Sequence, residues 1–253
     1  FLESLRDARR RFRVYSDRVF LSGHGMGGDA AFDIGMSHPD LFAGVIPIAG
    51  IADHYTMWYW QNAEHVAWYV VGGELDRDSL SQNSRELSRM MRHGFDVTYV
   101  EYTGRGYEDY FEEIHNLFDW MDLHRRVDLT AVGEFEFRTL RPHDNQFYWL
   151  EVQGLPDKVV ASPVVSSTPG QRVFPLTLKA KATVGNTVYL TSGAEANTLW
   201  LFPGLVDFEQ RLTVKLNGRT RFNDFPEAHM EDMLEDYRRR GDRQRIVWRK
   251  LEF

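Results

Sequence analysis

The stretch VFLSGHGMGGDAAFDIG, residues 19–35, decides how this chain folds. A short apolar run, Val19 to Leu21, meets a cluster of glycines and then a helical pattern. A strand that reverses sharply into a helix holds one residue in a strained backbone conformation and needs small neighbours around it. Gly23, Gly27 and Gly28 meet that need around position 25. Position 25 is itself glycine, which accepts positive φ freely.

Working outward, residues 1–12 carry Phe1, Leu5, Ala8 and Phe12 at helical spacing. After the helix that follows the glycine turn and stops near Pro39, the runs AGVIPIAG, HVAWYVVGGELD and DVTYVEYTG read as strands. Between the last two lies a helix, RDSLSQNSRELSRMMRHGF, with Gly94 as its stop, and YEDYFEEIHNLFDWMDLH closes the segment as a helix. Alternating strands and helices imply a parallel sheet with right-handed crossovers. The pattern changes after HRRVD. GEFEFRTL, NQFYWLEVQG, VFPLTLKAKATV, NTVYLTS and LTVKLNGRTRF are short, alternating and turn-punctuated, and Asn217-Gly218 is a hairpin turn signal. An amphipathic helix, EAHMEDMLEDYRRRGDR, and a last strand or tail, IVWRKLEF, follow. The expected organisation is therefore an α/β domain over 1–126 and an all-β, sandwich-like module with a C-terminal helix over 127–253.

Composition narrows the function. The chain has 253 residues, a formal net charge of −7 and no cysteine. Mild acidity argues against nucleic-acid binding. The absence of cysteine excludes disulfides and thiolate chemistry, and no histidine pair has zinc-site spacing, so no metal or cofactor is expected. No run approaches the length needed to span a bilayer and no signal pattern opens the chain, so the sequence reads as a soluble protein of unassigned compartment.

LSGHGMGGDAAFDIGMSHPDLFAGVIPIAG resembles the α/β-hydrolase superfamily, and within it the prolyl-oligopeptidase and dienelactone-hydrolase-like esterase branch. That family's pattern is Gly-x-Ser-Met-Gly-Gly. The resemblance therefore places Gly25 at the nucleophile position and makes the N–H of Met26 an oxyanion donor. It places the acid at Asp76, with Asp78 second, and puts Tyr107 where the family has its base histidine. Gly25 has no side chain to attack with, and tyrosine, ionising near pH 10, is a poor base at neutral pH. Ser22 as a nucleophile, and His24 or His115 as a displaced base, are alternatives, each with an ordinary structural reading beside it.

The resemblance implies a catalytically degraded serine-hydrolase-like protein with a binding, scaffolding or regulatory role. The alternatives are an active esterase or peptidase using substituted residues, and a structural subunit of a larger assembly. The family has further strands before the turn, so residues 1–126 read as the C-terminal half of the domain. The apolar run RVFLSG would otherwise be a bare edge. The first strands are accordingly expected upstream or on another chain, with homo-oligomerisation left open. Three further features are expected to be structural. YTMWYWQNAEHVAWY reads as core packing rather than a binding wall. Arg240-Gly241-Asp242 reads as a helix C-terminal turn rather than an adhesion motif. The aromatics of FYWLEVQG and TLWLFPG read as packing before a carbohydrate or peptide platform.

Overall fold

A computed structural model describes residues 2–53, 55–128, 130, 132–159 and 173–253. They form two units, one over 17–127 and one over 2–16 together with residues 128–253 as described.

The first unit holds β1 (Phe20–His24), β2 (Gly44–Ile48), β3 (Ala67–Gly73) and β4 (Val97–Tyr102). They form one parallel sheet in the order β1-β2-β3-β4. Every position of β3 is buried, as expected of a parallel strand covered on both faces. Helix α2 (Met26–Ser37) packs on one face, where Phe32 stacks on Trp68 with ring centroids 5.8 Å apart. A side chain at Gly35 would press on Val45 and Trp68, so glycine there lets α2 lie close to the sheet. α3 is the single turn Thr56–Tyr59, and α4 runs from Arg77 to Arg92, burying Leu87 and Met90. On the other face α5 (Ile114–Leu123) drives Trp120 against Phe20 and Tyr69, over a core that includes Ile46, Val71 and Tyr110. Tyr55, Tyr59, Trp68 and Tyr69 are buried, so the aromatic run at 55–69 packs chiefly as core.

Two expectations need correction. The parallel sheet does not belong to a C-terminal half completed by a partner: its four strands lie in the N-terminal part of this chain, ahead of the β-rich sheets. The argument from a bare apolar edge also fails. β1 is the sheet's edge, but it is five residues long, and alternation brings the polar Ser22 and His24 to exposed positions. A short edge with exposed polar side chains does not demand an apolar partner. Among the described residues, no helix is long and apolar enough to cross a membrane.

The second unit contains α1 (Leu2–Arg11), tied to the chain's later part by Arg10, whose guanidinium donates to the Arg238 carbonyl at 2.6 Å. Its first sheet has the order β13-β10-β7-β6: β6 (Gln146–Phe147), β7 (Leu150–Gln153), β10 (Ala196–Leu201) and β13 (Arg249–Glu252). The second has the order β12-β11-β9-β8-β5: β5 (Glu134–Thr139), β8 (Leu176–Thr183), β9 (Thr187–Thr191), β11 (Leu212–Leu216) and β12 (Arg219–Asp224). The sheets meet through aromatic rings: Phe137 stacks on Phe147 at 4.4 Å and Phe135 meets Trp149 at 4.9 Å. Asn217 and Gly218 turn β11 into β12 with φ of 51° and 80°, the left-handed pair that a tight hairpin needs. Helix α6 (Met230–Arg240) ends at Gly241 in the left-handed conformation, and Asp242 is buried, which suits a helix stop and not an exposed adhesion motif.

A buried carboxylate joins α6 to the first of these sheets. Glu151 accepts a hydrogen bond from the Trp200 indole at 2.9 Å and two from Arg239, at 2.8 and 2.9 Å. Burial acts to raise the Glu151 carboxyl, but the Arg239 and Trp200 hydrogen bonds outweigh it and hold the group below its ordinary value. Its contribution to stability is thus complete above about pH 5 and is lost as the pH falls through the depressed folded value. Glu151→Gln is expected to lower unfolding free energy at pH 7 by about 1–3 kcal/mol, because Arg239 loses its charged partner. Urea midpoints measured from pH 7 to pH 3 check this, with a shallower acid loss expected in the variant than in the wild type.

Candidate functional site

The site grows from the end of β1. Gly25 follows the strand with φ 56° and ψ −121°, a conformation that L side chains rarely adopt. Its N–H donates to the Ile48 carbonyl at 2.9 Å, and its own carbonyl accepts from Gly28 at 2.7 Å and Asp29 at 3.0 Å, so the chain turns from strand to helix at this residue. A Cβ on Gly23 would overlap the Gly27 carbonyl, and one on Gly28 would lie 2.8 Å from the Gly50 Cα. These glycines allow three backbone segments to touch. Asp29 accepts from the Ile51 N–H at 2.6 Å, fixing the loop after β2 to α2. Buried Asn83 on α4 fixes that loop from the other side, donating to the Gly50 carbonyl and accepting from the Ala52 N–H, each at 2.8 Å.

Residues 103–110 cross from β4 to the opposite edge of the sheet, a span of roughly three strand spacings or 14 Å. There the Tyr107 hydroxyl arrives over Gly25. A Cβ built on Gly25 would overlap that oxygen and lie 3.1 Å from Tyr107 Cζ. The His24 ring meets the Tyr107 ring edge-on at 5.2 Å. His24 Nε2 pairs with the Glu108 carbonyl at 2.8 Å, which fixes Nε2 as the protonated nitrogen, because a carbonyl only accepts.

Several bonds hold this crossing in place. The Gly104 N–H donates to Glu74 at 2.7 Å, and the Leu75 N–H donates to the Arg105 carbonyl at 2.8 Å. The Arg105 guanidinium lies over the rings of Tyr102 and Tyr110 and pairs with Glu108 and Glu112. Tyr110 takes φ of 51° and donates to the Gly106 carbonyl. Beneath, Glu113 is buried and accepts hydrogen bonds from Tyr69 and Tyr102, each at 2.5 Å, and from Asn116 at 3.0 Å. Burial acts to raise the Glu113 carboxyl, yet the three donors hold it below its ordinary value. The Tyr102 phenol is pushed up to about 12, first by its bond to Glu113 and then by burial.

The structure thus brings Gly25, His24 and Tyr107 together, with Met26 beside them as the first residue of α2, 87% exposed. Asp76 immediately precedes α4 without a side-chain cap bond, and its charge acts on Tyr99 and Tyr110. Among the described residues, no hydrogen bond joins the Asp76 carboxylate to Tyr107. The side chain of Asp78 lies outside the described residues. Ser22 is exposed on β1 and His115 is exposed on α5.

Sequence reasoning missed Arg105 and the Tyr69–Glu113–Tyr102 cluster, and it ran the last helix of the unit from 107. The segment before 111 is instead the crossing loop, followed by a single 3-10 turn at Phe111–Glu113. A usable signal was present. Tyr69 and Tyr102 fall on strand positions facing the same side as Trp120, so a buried acceptor between them was to be expected.

The family model described as Esterase matches residues 7–104. No curated protein matches the chain. Solved structures similar to it include a thermostable esterase, 21% identical over 49% of this chain and 35% of that one, with a TM-score of 0.42. A ferulic acid esterase is 21% identical over 47% of this chain and 55% of that one, with a TM-score of 0.39. SOBER1 of Arabidopsis thaliana is 16% identical over 48% of this chain and 63% of that one, with a TM-score of 0.38. The chain spans between 35% and 63% of the length of these structures. At these scores the likeness bears on neither substrate nor chemistry. The resemblance to esterases is one of superfamily level, and the matched region lies in the N-terminal part of this chain. It replaces the narrower placement in the prolyl-oligopeptidase and dienelactone-hydrolase branch. It also corrects the expectation that the strands of the hydrolase domain lie upstream or on a separate chain.

The overlap at Gly25 makes a quantitative prediction. Gly25→Ser meets an unfavourable positive φ and the exposed end of Tyr107, which must turn aside, and is expected to cost about 1–3 kcal/mol. In a Tyr107→Ala background only the backbone cost remains, about 1–2 kcal/mol. Denaturant unfolding of the four proteins in this double-mutant cycle checks the coupling, and additive effects would show that the two residues do not share space.

Proposed function

We propose that the unit over 17–127 is an esterase-like scaffold that has given up acyl transfer and acts in binding, scaffolding or regulation. Gly25 takes the nucleophile position, Asp76 the acid position and Tyr107 the base position of that scheme, with Met26 and His24 bordering it. One observation carries the reading: the Tyr107 hydroxyl fills the volume that a nucleophile's β-carbon would need. Acyl transfer requires an attacking atom, a base within hydrogen-bond reach of it, and donors for the developing oxyanion. Gly25 supplies no attacking atom. The His24 Nε2 is committed to the Glu108 carbonyl. What remains is the start of α2, whose first N–H groups have no intrahelical acceptor and attract negative charge. That part of the scheme binds and does not react.

The two departures support one another. A serine alone at position 25 would collide with Tyr107, and a histidine alone at position 107 would face a residue with nothing to deprotonate. A second reading, an active esterase or peptidase using substituted residues, has the contact between the His24 and Tyr107 rings in its favour.

Treatment with a fluorophosphonate probe, together with hydrolysis of p-nitrophenyl acetate and butyrate, distinguishes the two. The wild type is expected to take no label and to hydrolyse no faster than buffer. The double variant Gly25→Ser/Tyr107→His is expected to gain label at position 25, and neither single variant is. Label on Tyr107 or on any serine of the wild type would overturn the first reading in favour of the second.

A further inference from the structure

The outward face of α6 is apolar along its length and opposite in charge at its two ends. Met230, Leu234 and Tyr237, at i, i+4 and i+7, share one side of the helix and are exposed, Met230 by 74% and Leu234 by 61%. Beside this stripe Glu231 lies in the first turn and Arg238 in the last, two turns apart and therefore on one flank. We propose that this face is a self-association surface, on which α6 of a second copy of the chain packs antiparallel about a two-fold axis at Leu234. The inference concerns the β-rich unit. It rests neither on the esterase-like site nor on the edge of the parallel sheet.

Three observations carry it. The first is the exposed stripe. A helix that packs on its own domain turns its apolar side chains inward, yet Met230, Leu234 and Tyr237 stand outside and only Met233 is half-buried. The attachments of α6 to the rest of the unit are polar instead. Asp232 accepts from the Lys250 N–H and Glu235 from the Lys250 side chain, each at 2.8 Å, while Arg239 donates to Glu151 and Asp236 accepts from the Val247 N–H at 3.3 Å. Large apolar side chains left outside such a helix mark a surface that a partner covers, and methionine, tyrosine and arginine are the residue types that interfaces favour.

The second is unspent charge. Asp232, Glu235, Asp236, Arg239 and Arg240 are engaged within the chain. Glu231 and Arg238 are exposed, and neither side chain has an ion pair or hydrogen bond among the described residues. The helix thus offers one acid and one base to a partner.

The third is symmetry. Leu234 comes four residues after Met230 and three before Tyr237, and three after Glu231 and four before Arg238. A second helix turned end for end about Leu234 therefore sets Met230 of each copy against Tyr237 of the other, and Glu231 of each against Arg238 of the other. An interface between identical surfaces needs this self-complementarity, and the paired charges fix its register. The two helix dipoles also run in opposite directions. An anionic bilayer fits less well, because a surface that attracts Arg238 repels Glu231. At 11 residues the helix is about 16 Å long, and its contact falls short of the roughly 1,200 Å² at which stable interfaces begin, so the dimer forms and parts with concentration.

Sedimentation velocity of the full chain, from micromolar to millimolar concentration, tests the proposal. A monomer–dimer equilibrium is expected. Leu234→Glu is expected to weaken it about tenfold or more, since two carboxylates then meet at the axis. Glu231→Arg and Arg238→Glu are each expected to weaken self-association about tenfold, and to associate with one another when mixed at least as tightly as the wild type, since each offers the charge that the other lacks. These side chains are exposed, and wild-type melting temperatures are expected. A variant that melts early is replaced by Leu234→Gln, Glu231→Lys or Arg238→Asp for the same comparison. A monomer at every concentration overturns the proposal. So does self-association that survives the substitution at Leu234, which places the contact elsewhere, and so does a mixture of the two charge variants that associates no better than either alone, which removes the antiparallel register.

Discussion

The Tyr107 hydroxyl and a side chain at position 25 compete for the same volume. The backbone of both elements that meet there is held by other parts of the fold, so the competition is relieved through the Tyr107 side chain, which is 63% exposed and meets the turn with its far end. On one side, Gly25 is pinned between the Ile48 carbonyl and the first turn of α2, with Gly23, Gly28 and Gly50 allowing backbone to lie on backbone. On the other, the crossing loop is fastened at Glu74, at the Arg105 carbonyl and at His24. A side chain at position 25 therefore displaces the tip of the Tyr107 ring while the backbone on both sides keeps its place.

The loop itself is an expensive structure, since residues that run over the end of a sheet leave backbone groups to be satisfied and entropy to be offset. Its support is unusually polar for a feature so near a hydrophobic core. Glu113 is buried against Tyr69, itself part of the core with Trp120 and Ile46, where an unpartnered carboxylate would be destabilising, and three donors resolve this. Arg105 performs the matching task at the surface, spreading its charge over two phenol rings and two carboxylates. The loop that carries position 107 is therefore held by a desolvated acid and by a half-buried cation.

Much of this was legible in the chain. Apolar runs ending in glycine located the four parallel strands, and Asn217-Gly218 located its hairpin, because both signals are local and depend on backbone conformation. Gly25 and Tyr107 were legible as departures from a pattern. Their meeting was not, since it depends on a loop that returns across the sheet to join His24 to a residue 84 positions away. Asp76 was read as the acid position from the family pattern, but sequence order carried no information on the direction of its carboxylate, whose charge acts on Tyr99 and Tyr110. The edge strand was misjudged because RVFLSG was weighed as a block of apolar character. Strand alternation divides it into two faces, and the polar residues fall where solvent is.

The space above Gly25 has a further consequence. The main chain beneath it is pinned, and so is the loop from which the tyrosine springs. The ring itself is 63% exposed and reaches the turn only with its hydroxyl end. Freedom of movement over the turn therefore resides in rotation about the bonds of one side chain, on a footing that stays still.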